Sequence, residues 1–283
     1  MALACGGHGP RVAADEDMAR TLLRLARETH EEHPSARVKA LYEVAKAYPS
    51  SQSAPIALQQ ATRIAINAGH TETQTWLASK LTKLSEPPGS LSAECLWLNA
   101  RLMIEGLGDY PAARQLLRRL YTQHAISPRA DNALWTLADL YRAVGAWKHA
   151  HKTYRILAQH RLDRGWLIGS LRSPYTAQAA LLKADIEAYI FDDFPAAVGS
   201  YRSFLTHFND SLFMDDALLS LAYCYLRTHE KNAAEDVLAQ LDKRALSTRQ
   251  SEILRALRKV PDAQIPIPKR LYSTVSPHPK RLR

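Results

Sequence analysis

Between Leu134 and Tyr154 the chain reads LWTLADLYRAVGAWKHAHKTY, with apolar residues at helical spacing on both sides of Gly145. Leu134, Leu137, Ala138 and Tyr141 stand at i, i+3, i+4 and i+7, the stripe of a helix with one buried face. Gly145 ends the pattern, because glycine enters the left-handed conformation that closes a helix without steric cost. A second stripe, Trp147, Ala150, Tyr154 and Leu157, starts at once. The pattern predicts two short antiparallel helices, closest at Ala138 and Ala150, where a larger side chain would push the backbones apart.

One such hairpin leaves an apolar face uncovered, which further copies would cover. Alignment on the small residue that opens the second helix gives Ala40, Gln74, Ala113, Ala150, Ala197 and Ala234. Four residues later come Val44, Ala78, Leu117, Tyr154, Tyr201 and Leu238, and seven later Ala47, Leu81, Leu120, Leu157, Phe204 and Leu241. The turn position recurs as Ser35, Gly69, Gly108, Gly145, Asp192 and His229, and successive copies lie 34, 39, 37, 47 and 37 residues apart. Leucine and alanine dominate and no segment alternates with a period of two for long, so the expected class is all-α. Repeats of this kind bury their core against their neighbours, so residues 18–260 are expected to form one elongated solenoid of about six hairpins. A C-terminal capping helix from Thr248 to Val260 would lay Ile253, Leu254 and Leu257 over its open end.

Leu134, Leu137, Ala138, Tyr141, Ala150 and Tyr154 match the pattern W-x2-L-G-x2-Y followed by A-x3-F, and residues 19–243 resemble the tetratricopeptide repeat family. The stretch HFNDSLFMDDALLSLAYCYLRTHEKNAAEDVLAQL, His207 to Leu241, resembles the bacterial envelope subgroup that includes BamD-type assembly lipoproteins and the Tol-Pal accessory proteins. The shared features are an aromatic, a short Asp/Ser/Pro turn and a paired acidic helix start, a junction echoed by Tyr48-Pro49-Ser50-Ser51. This resemblance implies a right-handed superhelix and a non-catalytic scaffold whose first helices line a concave, protein-binding groove. The groove positions it implies are Gln59, Arg63, Asn99, Asn132, Trp135, Asp139, Arg142, Lys183, Tyr189, Tyr223 and Arg227. Around Trp135, Arg142, Tyr189 and Tyr223, aromatics beside arginine have the composition of an interface hot spot. The Lys/Asn arrangement of carboxylate-clamp repeats is missing from this set, so chaperone tails are not the implied clients.

Two segments depart from the repeat. The 47-residue spacing contains QHRLDRGWLIGSLRSP, Gln159 to Pro174, which reads as a loop; Trp166 among arginines is either a partner contact or a side chain tucked onto the adjacent repeat. Residues 261–283 are Pro-rich, and Lys269, Arg270, Lys280, Arg281 and Arg283 carry more than half of the net charge of +9. So little apolar surface predicts a disordered tail. Its charge suits nucleic acid, anionic lipid or an acidic polymer, but with only Tyr272 to stack on bases and no nucleic-acid-binding motif, nucleic acid is not the expected partner.

The chain has no Gly-rich phosphate loop and no G-x-S-x-G, and neither a cofactor nor catalytic residues are expected. His30 and His33 in HEEH lack the spacing of a zinc-protease motif, and His149 and His151 point to different sides of a helix, so no metal is expected at either. Asp192-Asp193 and Asp215-Asp216 stand where helices start or turn and read as caps.

The opening residues, MALACGGHGP, resemble the end of a bacterial lipoprotein signal: Ala2, Leu3 and Ala4, then Cys5, then Gly6 and Gly7. In that class the cysteine is acylated, so residues 1–17 would be a flexible segment tethered through Cys5. The protein would then sit on the periplasmic face of the outer membrane, provided an upstream signal peptide exists. Otherwise it is a soluble cytoplasmic adaptor or regulator using the same groove. Cys95 and Cys224 fall on repeat helices and need no disulfide, so they leave both compartments open. The longest nearly apolar run, Ala217 to Leu226, is shorter than the about 20 residues that cross a bilayer.

Overall fold

The computed structural model describes residues 10–28, 32–86, 89–159, 175–259 and 267–272. Cys5 and Trp166 lie outside these residues. The described residues contain thirteen α-helices and no strand. They are α1 (Pro10–Glu28), α2 (Pro34–Ala47), α3 (Ser53–Ala68), α4 (Thr71–Ser85), α5 (Ser92–Arg101), α6 (Tyr110–Gln123), α7 (Pro128–Ala143), α8 (Trp147–Gln159), α9 (Thr176–Tyr189), α10 (Phe194–His207), α11 (Met214–Arg227), α12 (Lys231–Asp242) and α13 (Thr248–Lys259). A π-helical stretch, Leu102–Leu107, continues α5, and a 3-10 turn covers Lys269–Leu271. Two compact units divide between Ala133 and Leu134, inside α7. No described helix is long and apolar enough to cross a membrane.

The turns obey the predicted register. Gly69, Gly108 and Gly145 have φ of 69°, 66° and 68°, and Asp192 and His229 take the same left-handed conformation at 52° and 62°. After two of these turns the sequence repeats as Asp109-Tyr-Pro-Ala-Ala and Asp193-Phe-Pro-Ala-Ala. In each the aspartate caps the next helix, Asp109 accepting from the amide of Ala112 and Asp193 from that of Ala196. The cap role read for Asp193 is therefore present.

Packing follows the same frame. Ala113, Ala150, Ala197 and Ala234 are 0% exposed, as are Ala138 and Ala222 on first helices. Gln74 takes the alanine position in α4 without leaving its amide unsatisfied, since Nε2 donates to the carbonyl of Ala65 at 3.0 Å. Its neighbour is Gly106 in the π-helical stretch, where an added Cβ would come within 3.1 Å of the Gln74 amide group. In the first unit Leu41, Leu58, Leu77 and Leu98 form the centre of the core; in the second Leu181, Tyr201, Phe204 and Leu241 do. α13 lays Leu254 and Leu257 onto the second core, with Ile253 partly buried, as a capping helix requires.

The first copy needs a correction. Its second helix opens with Arg37 N–H donating to the His33 carbonyl, the bond made elsewhere by Gln74, Ala113, Ala150, Ala197 and Ala234. The equivalent positions are therefore Arg37, Leu41 and Val44, three residues before Ala40, Val44 and Ala47. Ser35 lies within α2 and is not a turn residue. The broad buried face of α2, Val38, Leu41, Tyr42, Val44 and Ala45, fits two registers in sequence, and the backbone selects the earlier. With that shift the repeat junctions coincide: Ser51, Ser127 and Ser211 each donate a backbone N–H three residues back, to Tyr48, His124 and Phe208.

Candidate functional site

In the second unit one position breaks the small-residue rule of the first helices. Twelve residues before Ala150 and Ala234 stand Ala138 and Ala222; twelve before Ala197 stands Asp185. Its side chain is 0% exposed. A carboxylate taken fully out of water needs compensating partners, and here they come from two directions. Tyr201 on α10 donates its hydroxyl to Oδ1 at 2.7 Å. From the other side Arg270, 85 residues away in sequence, forks onto both oxygens, with Nη2 at 2.8 Å from Oδ1 and Nε on Oδ2.

Arg270 belongs to residues 267–272, inside the tail whose composition predicts disorder. That expectation fails for this segment because a specific seat supplies what its own apolar surface lacks. Pro268 and Leu271 are buried, while Lys269 and Tyr272 face out. Nη1 of Arg270 also lies 3.1 Å from Asp216 Oδ2, and Nη2 lies 3.4 Å from Ser220 Oγ. Arg142 on α7 holds the backbone, its Nη1 donating to the carbonyl of Arg270 at 2.7 Å and its Nη2 to that of Tyr272 at 3.0 Å. Asp139, one turn earlier, fixes Arg142 through a buried ion pair of 2.6 Å. The first helices of three successive pairs, α7, α9 and α11, thus converge on one short segment.

The electrostatics suit a cation. Burial works against the Arg270 guanidinium, but Asp185 and Asp216 outweigh it and hold the group charged more firmly than usual. Burial and the Asp185 carboxylate push the Tyr201 phenol well up, so it stays a neutral donor. Beside Pro268 and Arg270 a cleft runs between α11 and α13, lined by Tyr189, Phe213, Leu219 and Ile253.

The residues read as groove-facing divide between the units. In the second, Asp139 and Arg142 belong to the seat itself. Tyr189 borders it, stacked on Tyr223 with centroids 5.5 Å apart and donating to Ser220 Oγ at 3.1 Å. Arg227 lies 5.0 Å over the Phe194 ring. Trp135 stacks on Tyr175 at 5.0 Å, so this ring is already engaged within the unit. Lys183 turns to Glu187 and Ser200, at 2.8 and 2.6 Å. In the first unit Gln59 and Arg63 are exposed and Asn132 is half-buried. Asn99 departs from the expectation of an open face: it is 2% exposed and donates to Thr82 Oγ1 and the Ala78 carbonyl of α4. Gln59, Glu94 and Arg129, 35 residues apart along α3, α5 and α7, form a ladder in which Arg129 grips Glu94 with two nitrogens and Gln59 donates to it at 2.9 Å.

Asp215 and Asp216 start α11 as expected, but their side chains reach outward instead of capping: Asp215 pairs with Arg244, and Asp216 takes Gln250 and Arg270. His151 lies 2.8 Å from Glu187. Burial raises the Glu187 pKa, but hydrogen bonds from His151, Lys183 and Ser200 and the Lys183 charge outweigh it and bring the group down to about 2. Cys95 and Cys224 are buried free thiols, and burial pushes each up to about 12. Among the described residues no three or more His, Cys, Asp or Glu side chains are placed to hold a metal ion.

Fold and site together define a class: an all-α protein of helical hairpins in which a buried carboxylate holds an arginine-leucine segment. No family model matches the chain, and no curated protein does. Among solved structures it is similar to a tetratricopeptide repeat protein from Parabacteroides merdae, at 13% identity and a TM-score of 0.42, with 86% of each chain covered. A likeness this distant assigns neither partner nor activity.

Proposed function

We propose that the chain is a non-catalytic scaffold that binds protein segments, and that the seat formed by α7, α9 and α11 is its recognition site. The supporting observation is the way Pro268–Tyr272 is held: one side chain forked onto a buried carboxylate, one leucine buried, and two backbone carbonyls gripped by Arg142. Backbone contacts give affinity and side-chain pockets give specificity, the division of labour of peptide-binding surfaces. Capture of partners on the full chain tests the reading. Asp216→Lys should remove partners that Arg63→Glu, in the other unit, retains; identical partner sets for both variants and the wild type would refute it.

The reading extends to bacterial envelope assembly, outer membrane or cell wall, with anchoring through lipidated Cys5. Its support is the junction resemblance in His207–Leu241 together with the motif MALACGG. The gene expressed with its upstream codons and labelled with a palmitate analogue should give a labelled protein that survives a high-salt wash of membranes, with the label lost in Cys5→Ser. No label on the wild type, or equal label on the variant, would favour the soluble cytoplasmic adaptor instead.

A further inference from the structure

The segment in the seat occurs twice in the chain. Residues 265–272 read Ile-Pro-Ile-Pro-Lys-Arg-Leu-Tyr, and residues 276–283 read Ser-Pro-His-Pro-Lys-Arg-Leu-Arg, eleven positions later. The five shared residues include every side chain the seat uses. Pro268 and Leu271 are buried and Arg270 forks onto Asp185, and their counterparts are Pro279, Leu282 and Arg281. Of the three substitutions, the two at described positions fall where the first copy faces solvent: Ile267, 42% exposed, becomes His278, and Tyr272, 65% exposed, becomes Arg283. The grip of Arg142 is on carbonyl oxygens and is indifferent to side chains.

We propose that the Asp185 seat recognises a Pro-Lys-Arg-Leu segment, and that Pro279–Leu282 is a second occupant that competes with Pro268–Leu271 for it. The proposal rests on the reading of this face as a peptide-binding site and names its ligand. The two copies are tethered unequally. From Lys259 the first begins nine residues on and the second twenty, a difference that lowers local concentration about threefold by loop-closure entropy. Copies of equal affinity would therefore share the seat unevenly, the first prevailing. The same segment on another molecule must compete with a tethered occupant at an effective concentration in the millimolar range. A free peptide should consequently bind weakly until the chain's own copies are disabled.

The probe is a fluorescent peptide of residues 276–283, followed by anisotropy against the full-length chain. The variant Arg270→Ala with Arg281→Ala should bind it at least tenfold more tightly than the wild type. A peptide with Arg281→Ala should lose that binding, and one with Lys280→Ala should keep it, since Lys269 faces solvent. Equal binding to variant and wild type, or equal binding of the Arg281→Ala peptide, would overturn the proposal. Should the double variant not fold, hydrogen exchange on the wild type decides: excess peptide should accelerate exchange in residues 267–272, and no acceleration refutes competition. Loss of captured partners in Asp216→Lys, with no binding of this peptide to the double variant or displacement of 267–272, would leave the scaffold reading standing and sink this one.

Discussion

In an Arg281→Ala background, which keeps the second Pro-Lys-Arg-Leu copy from refilling the seat, replacing Arg270 with alanine removes the guanidinium fork from Asp185 and leaves its carboxylate, 0% exposed, with the Tyr201 hydroxyl. Removing one partner of a buried pair costs about 3–5 kcal/mol, because the remaining charge stays out of water. The Arg270 side chain is 18% exposed, so water enters where it is removed and the low end applies, ~3 kcal/mol. For a unit of this size that corresponds to a fall in Tm of roughly 6–12 °C. Urea unfolding, with melting as a second readout, should show it for Arg270→Ala in that background, while Lys269→Ala, at an exposed position of the same turn, should stay within about 0.5 kcal/mol of the Arg281→Ala parent. Asp185→Ala restores the alanine of the sister repeats, so the two substitutions combined should cost less than the sum of the single effects by about 0.5–3 kcal/mol. Equal effects of Arg270→Ala and Lys269→Ala, or strict additivity with Asp185→Ala, would refute the ion-pair account of the seat.

Other consequences reach the rest of the fold. Ala150→Leu, at a site with 0% exposure, should destabilise by about 1–3 kcal/mol through overpacking, measured by urea unfolding; an unmoved midpoint would contradict the hairpin register there. Glu187, held at about 2 in the folded chain, contributes stability that is complete above its ordinary carboxylate range and is lost as pH falls toward 2; Glu187→Gln should flatten that part of the pH-stability curve. Cys95 and Cys224, buried and pushed up to about 12, should resist iodoacetamide in native protein and react on unfolding, as mass spectrometry of the modified peptides would show.

How far the sequence reached depended on the range of the interaction. Turns and hairpins were legible because they are local: a left-handed residue, an alanine five later and an apolar residue four beyond it occur within one hairpin. The first copy misled because Ala40 sits beside a broad apolar stripe, and a small residue alone does not mark the register. Asn99 misled because its position projects toward α4, where a carbonyl and a hydroxyl accept its protons. The seat was hidden by distance and by composition. Arg270 lies 85 residues from Asp185, in a Pro-rich basic stretch that has every compositional mark of an unfolded tail. One signal was present all the same: an aspartate twelve residues before Ala197, at the position of Ala138 and Ala222. An acid at a position that packing reserves for a methyl group demands a distant cation.

The seating of residues 267–272 by α7, α9 and α11 is read out by hydrogen exchange at two amides. In the 3-10 turn Leu271 donates to the Pro268 carbonyl at 2.9 Å and Tyr272 to that of Lys269 at 3.1 Å. So short a turn does not persist by itself in water, so any protection reports the seat. Exchange at both amides should be slowed in the full-length wild type, and the slowing lost in Arg142→Ala, which releases the carbonyls of Arg270 and Tyr272. Exchange in the wild type at the rate of an unstructured peptide would mean that residues 267–272 are not seated.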